Sequence, residues 1–124
     1  MPVKSKKTAR QKAIKRADDA MSEYIRARDK ECVICGSRER LTNGHLITRG
    51  KYSVRWKELN CHCQCRGCNL LHEHQPEQYT SWFIQRYGLA AYEELVRESN
   101  TIKKYKTHDI EEIARYYKKK LEEL

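Results

Sequence analysis

The sequence predicts a small α+β fold, mostly helical, built on a short hairpin that a metal ion staples together. Three observations predict it. Two Cys-x-x-Cys pairs, Cys32–Cys35 and Cys65–Cys68, stand with 29 residues between them. Apolar residues recur in steps of three and four near both ends of the chain. Only the stretch between the pairs reads as short strand and turn.

The 124 residues suffice for one domain with one modest core. We divide residues 1–124 into a basic arm (1–16), a core with helices (17–98) and a C-terminal helix (107–124). Hydrophobic residues are 39% and charged residues 35%, so the apolar core is small and a metal staple is useful. No apolar run approaches the ~20 residues that span a membrane, and no apolar segment follows the basic start as in a secretory signal. A cytoplasmic protein is expected, in which thiols stay reduced and six cysteines point to metal before disulfides. The net charge of +9 favours an anionic partner such as nucleic acid.

The first helix is expected from about Thr8 to Arg28, on the stripe Ile14, Ala17, Met21 and Ile25. Its beginning overlaps the arm, where Lys4, Lys6, Lys7, Arg10, Lys12, Lys15 and Arg16 stand without an acidic neighbour. Those cations suit phosphate contacts; a solvated tail is the plainer reading. Cys32-Val-Ile-Cys35-Gly36 then reads as a zinc knuckle, its glycine allowing the tight turn. Leu41 to Ile47, around Asn43-Gly44, is expected to form a short hairpin or bent strand.

The next loop carries Arg49, Lys51, Arg55 and Lys57, interleaved with Tyr52 and Trp56. That composition suits a phosphate backbone with unstacked bases, though Trp56 packing over the metal site is an equal reading. Four cysteines follow between Cys61 and Cys68. Cys65 and Cys68 repeat the first spacing and complete a four-cysteine site; Cys61 and Cys63 then alternate along a strand as packing thiols. A register using Cys61 or Cys63 is the rival.

A helix opening near Cys65 carries Asn69 and His72 on one face. Gln75-Pro76-Glu77 ends it, and Tyr79, Phe83 and Tyr87 with Trp82 mark a helix stopped by Gly88. That stripe reads as core. Leu89 to Glu98 is a further helix. The last helix is expected behind an Asp109–Glu112 capping box, with Ile110, Ile113, Tyr117, Leu121 and Leu124 on one stripe. It either packs back on the domain or pairs with a second copy as a homodimer.

Two Cys-x-x-Cys pairs around a hairpin, the second opening a helix, describe a treble-clef zinc site. Closed by four thiolates, it has no open position, so its zinc is structural. Catalysis would need a second, harder ion and a base. His45 at the strand end faces the helix start, opposite an ion that Asn69 and His72 would hold.

The order Cys32-x2-Cys35, Gly44-His45, Asn60, Cys65-x2-Cys68-Asn69 resembles the HNH, or His-Me finger, nucleases with a ββα-metal core. It is most similar to the phage NinG recombination proteins, through Ile25-Arg-x-Arg-Asp29, the Gly-His pair and Gln64-Cys-Arg-x-Cys-Asn69. The resemblance covers about residues 20 to 98. It implies a hydrolase, a structure-directed DNA endonuclease that cuts branched recombination intermediates in the bacterial host cytoplasm, with recombination proteins as partners. It implies His45 as general base, Asn60 as the residue fixing the loop around that base, and Asn69 as a ligand of Mg²⁺ or Mn²⁺. The position before the base, an Asp or His in many HNH nucleases, is Gly44 here. The alternative is a zinc-stabilised module that binds DNA without cutting it; a zinc-stapled adaptor acting through the C-terminal helix is a third reading.

Overall fold

A computed structural model describes residues 6–124, so Lys4 lies outside the described residues. Helix α1 spans Ala9–Asp29. Thr8 caps it: its hydroxyl accepts from the Gln11 N–H, and the Gln11 side chain accepts from the Thr8 N–H. This reciprocal pair starts the helix inside the expected arm, so residue 16 is no structural boundary. Lys30, left-handed at φ 65°, ends it.

Helix α6, Thr107–Glu122, lies along α1. The two run parallel: Arg10 reaches the Tyr105 carbonyl at their starts, and Tyr24 meets Tyr117 at 5.7 Å near their ends. Ala13, Ala17, Ala20, Met21, Tyr24 and Ile25 are buried with Ile110, Ala114 and Tyr117. Each large apolar side chain buried there contributes roughly 1.5–3 kcal/mol. Ile110 and Tyr117 of the expected α6 stripe are thus buried within the chain, with Ile113 packed against them, while Leu124 at its end stays exposed. The helix also begins earlier than its sequence signal. Asp109 is its third residue and accepts from the Lys106 N–H at 2.9 Å, so it assists the cap from inside the first turn.

Strand β1, Leu41–His45, pairs antiparallel with β2, Cys61–Cys65, from Leu41↔Cys65 to His45↔Cys61. The Asn43-Gly44 turn expected from sequence is therefore mid-strand, and the hairpin closes through residues 46–60. Gly44 serves a different need: a Cβ there would lie 2.0 Å from Gln64 Oε1. The connection holds a short helix α2, Tyr52–Arg55, and a 3-10 turn, Glu58–Asn60.

The two faces of the sheet enter different cores. Cys61 and Cys63 join the α1–α6 cluster. His62 faces helix α4, Glu77–Tyr87, where its ring nitrogens meet the Tyr79 and Tyr87 hydroxyls at 2.9 and 3.0 Å. Helix α3, Arg66–His74, follows β2 directly. Helix α5, Leu89–Ser99, closes a second core of Leu46, Val54, Tyr79, Phe83 and Leu95. No described helix is long and apolar enough to cross a membrane.

Candidate metal centre and adjoining cavity

Local backbone geometry brings the two cysteine pairs together. Gly36, at φ 78°, takes the left-handed turn that its lack of Cβ permits, and its N–H returns to the Cys32 carbonyl at 2.9 Å. The knuckle is fastened to β2 by Val33 N–H to the Cys63 carbonyl, also 2.9 Å. Cys65 ends β2 and caps α3, its sulfur accepting from the Cys68 N–H. The Sγ atoms of Cys32, Cys35, Cys65 and Cys68 all lie within 4.8 Å of one another.

These sulfurs fit zinc. A tetrahedron with Zn–S bonds of about 2.3 Å has edges of about 3.8 Å, and Cys35 Sγ to Cys65 Sγ is 3.6 Å. Burial pushes the Cys32 thiol up, but backbone donors at Cys35, Cys65 and Ile34 outweigh it and leave its pKa at about 7. Cys61 and Cys63 are fully buried in the neighbouring core. Burial raises both thiols, Cys63 to about 11, as expected of inert packing groups. The rival cysteine register is therefore set aside.

His45 ends β1. Its Nε2 lies 2.9 Å from the Arg55 carbonyl oxygen. A carbonyl only accepts, so Nε2 carries the proton and Nδ1 keeps the lone pair. Burial lowers the pKa of His45 below the ordinary imidazole value, with the Arg55 hydrogen bond opposing it. The ring is thus neutral at pH 7.

Arg55 is itself held from α1. Asp18 accepts from its Nε at 3.0 Å and its Nη2 at 2.6 Å, and from Trp56 Nε1 at 2.9 Å. This corrects the expected nucleic-acid role of Arg55: the residue is 9% exposed, and its guanidinium is paired with Asp18 and lies over Tyr52 and Trp56. Lys57 is also engaged, with Glu98 at 2.5 Å. Trp56 is buried, as its packing reading required, though in the α1–α6 core.

Asn60 is fully buried and stitches the connection shut. Its Nδ2 donates to the Ile47 and Val54 carbonyls, and its Oδ1 accepts from the Ile47 N–H. Asn69 on α3 donates through Nδ2 to Thr42 Oγ1 at 3.0 Å, which leaves its Oδ1 without a donor among the described residues. His72 donates through Nε2 to the Leu46 carbonyl at 2.9 Å; its Nδ1 is buried and unpartnered.

One cavity of about 670 Å³ joins these groups, lined by Asp18, Asn43, His45, Arg49, Asn69, His72 and Glu73 among others. Sequence reasoning missed Asp18 and Glu73. Glu73 follows Asn69 at i+4, a spacing that signals a shared helix face; Asp18 had no such signal, because its place depends on how α1 packs. Lys6, Lys7, Arg10, Lys12, Lys15, Arg16, Arg49 and Lys51 are exposed, Lys15 pairing with Asp19 at 3.0 Å. Of the expected loop cations, only Arg49 borders the cavity.

Fold and site together define a small α+β protein whose hairpin–helix unit carries four cysteines placed to hold one metal ion, beside a cavity with a neutral histidine. The chain belongs to the NinG family. The family model described as "Bacteriophage Lambda NinG protein" matches residues 2–124. The chain is 31% identical over 119 residues to "Protein ninG" of Salmonella phage P22, covering 90% of this chain and 57% of that protein. It is 30% identical to "Protein ninG" of Escherichia phage lambda, covering 90% and 56%. It thus spans a little over half the length of these relatives. No solved structure matches.

Proposed function

We propose that this chain is the nuclease core of a metal-dependent DNA endonuclease of the treble-clef HNH type, acting on branched recombination DNA. The observation that carries the reading is the state of His45. Its Nε2–H is tied to the Arg55 carbonyl, its Nδ1 keeps the lone pair, and it shares one cavity with Asn69 and His72. A positioned neutral imidazole takes a proton from water. In the proposed step Nδ1 accepts that proton, the water oxygen bonds to phosphorus, and the bond to the leaving sugar oxygen breaks. Arg49 on the cavity wall attracts the phosphodiester. Asn60 holds the loop whose Arg55 carbonyl aims His45. A divalent ion, Mg²⁺ or Mn²⁺, held by Asn69 and His72, would neutralise charge on the phosphate and its leaving oxygen.

Gly44 supports a second reading, a zinc-stabilised module that binds DNA without cutting it. The space where many HNH nucleases present a metal-binding side chain is filled by Gln64. Incubation with four-way junction, flap, single-stranded and linear duplex DNA, with Mg²⁺, Mn²⁺ or neither, separates the two. The nuclease reading expects metal-dependent cutting of branched substrates that His45→Ala abolishes. Binding without cutting under every condition supports the second reading.

A further inference from the structure

We propose that the joint N-terminal end of α1 and α6 is a nucleic-acid phosphate-binding surface, built from the start of α1 and the segment Lys103–Lys106. The sequence gives these cations no connection: Arg10 and Tyr105 are separated by 95 positions. The parallel packing of the two helices brings them together. Arg10 Nη1 donates to the Tyr105 carbonyl at 2.6 Å, and the Lys103 ammonium sits 5.1 Å from the Tyr105 ring centroid. Tyr105 in turn packs on buried Trp56 at 5.4 Å, which fixes the segment to the core.

Lys7, Arg10, Lys103, Lys104 and Lys106 are exposed, and none joins an ion pair among the described residues. Two parallel helices also present two positive dipole ends here, each equivalent to about half a charge. The first turn of α1 has no acid to offset it. In α6 the first-turn carboxylate of Asp109, which accepts from the Lys106 N–H, offsets part of that helix's positive end, so the cations carry most of the attraction there.

Charge and shape select the occupant. A membrane-binding surface needs an apolar face, and here a single large aliphatic side chain, Ile102 just before the segment, is exposed. Spaced cations anchored on rigid helices suit a phosphate backbone. Asp18, on the cavity wall, lies eight residues beyond Arg10, about 12 Å along α1. That length is about three or four nucleotides along one strand. Resting on the nuclease reading, this places the patch on the arm of DNA leaving the cavity; the patch itself does not depend on cleavage.

The test measures binding of zinc-loaded protein to duplex and four-way junction DNA without added Mg²⁺ or Mn²⁺, between about 50 and 200 mM salt. Lys103→Ala/Lys104→Ala/Lys106→Ala is compared with Lys118→Ala/Lys119→Ala at the far end of α6, after circular dichroism and zinc content show both folded. The triple variant should bind roughly tenfold or more weakly, and its plot of log affinity against log salt should be flatter by about two to three units. The double variant should keep the wild-type slope. Equal slopes for the triple variant and wild type overturn the proposal, as does an equal loss in the double variant. So does wild-type protein that binds phosphatidylserine vesicles but not DNA. DNA binding of the predicted kind without cleavage at any metal concentration would refute the nuclease reading and leave this surface standing.

Discussion

Gly44→Ala is the substitution whose cost the structure defines most sharply. Gly44 is an ordinary strand residue, so its backbone accepts alanine. The obstacle is Gln64, 1% exposed, whose Oε1, Cδ and Cγ would lie 2.0, 2.7 and 2.8 Å from the new Cβ. Three atoms must move, and the side chain has no solvent to move into. Overpacking of this kind costs about 1–3 kcal/mol. The entropy gained by replacing glycine returns about 0.5–1 kcal/mol, so the net loss should be roughly 1–2 kcal/mol. Gln64→Ala leaves a gap that the Gly44→Ala methyl partly fills. The double variant should therefore be more stable than the sum of the singles by about 1–2 kcal/mol, well beyond the ~0.5 kcal/mol expected of independent sites. Urea unfolding of the four proteins at fixed zinc reads this directly. Additivity would refute the claim that Gln64 occupies the space above Gly44. With Gln64 shortened, Gly44→Asp should tighten Mn²⁺ binding relative to Gln64→Ala alone; on the wild-type background it should chiefly destabilise.

Asp18→Asn removes the charge opposite buried Arg55 and should cost about 2 kcal/mol, less than a fully buried pair because the Asp18 side chain is 23% exposed. On the nuclease reading it should also cut the cleavage rate of the folded protein, while long-range ¹⁵N NMR shows His45 losing its single tautomer; an unchanged tautomer would refute the positioning role. Cys65→Ser should abolish stoichiometric zinc by elemental analysis, whereas Cys63→Ser should keep it; zinc loss in the latter would overturn the cysteine register. His62, with burial lowering its pKa to about 4, binds its proton more weakly folded than unfolded. Stability should therefore rise with pH between about 4 and 6.5, by roughly 3 kcal/mol in all, and the His62 ring resonance should titrate near 4. A His62 midpoint near 6.5 would show that the Tyr79–Tyr87 enclosure does not hold it.

The sequence made the local features legible. Thr8 to Arg28 anticipated α1 within a residue at each end, because capping and periodicity are short-range. The spacing of Cys32, Cys35, Cys65 and Cys68 anticipated the four-cysteine cluster, because ligand geometry imposes its own spacing. Asn43-Gly44 misled, because a turn dipeptide gives no sign of the cross-strand side chain that can require the glycine. Arg55 misled as well: a basic residue beside aromatics reads as a nucleic-acid contact until its carboxylate partner, 37 positions away, is seen. His62 raised no signal, since its tyrosine partners come from helix α4, 17 and 25 positions further on. The parallel pairing of α1 and α6, which gathers Arg10 and Lys103, is tertiary information that no local pattern carries.

The measurement closest to the central claim is the metal-dependent cleavage of a four-way junction by purified wild-type protein and His45→Ala, run beside zinc analysis and DNA binding. His45→Ala should keep its zinc, bind the junction within about twofold of wild type and lose at least the roughly hundredfold rate that a general base supplies. Its wild-type counterpart should cut faster as pH rises and level off below the ordinary imidazole pKa, since burial lowers the pKa of His45. Cleavage by His45→Ala at the wild-type rate, in preparations freed of other nucleases, would contradict that claim.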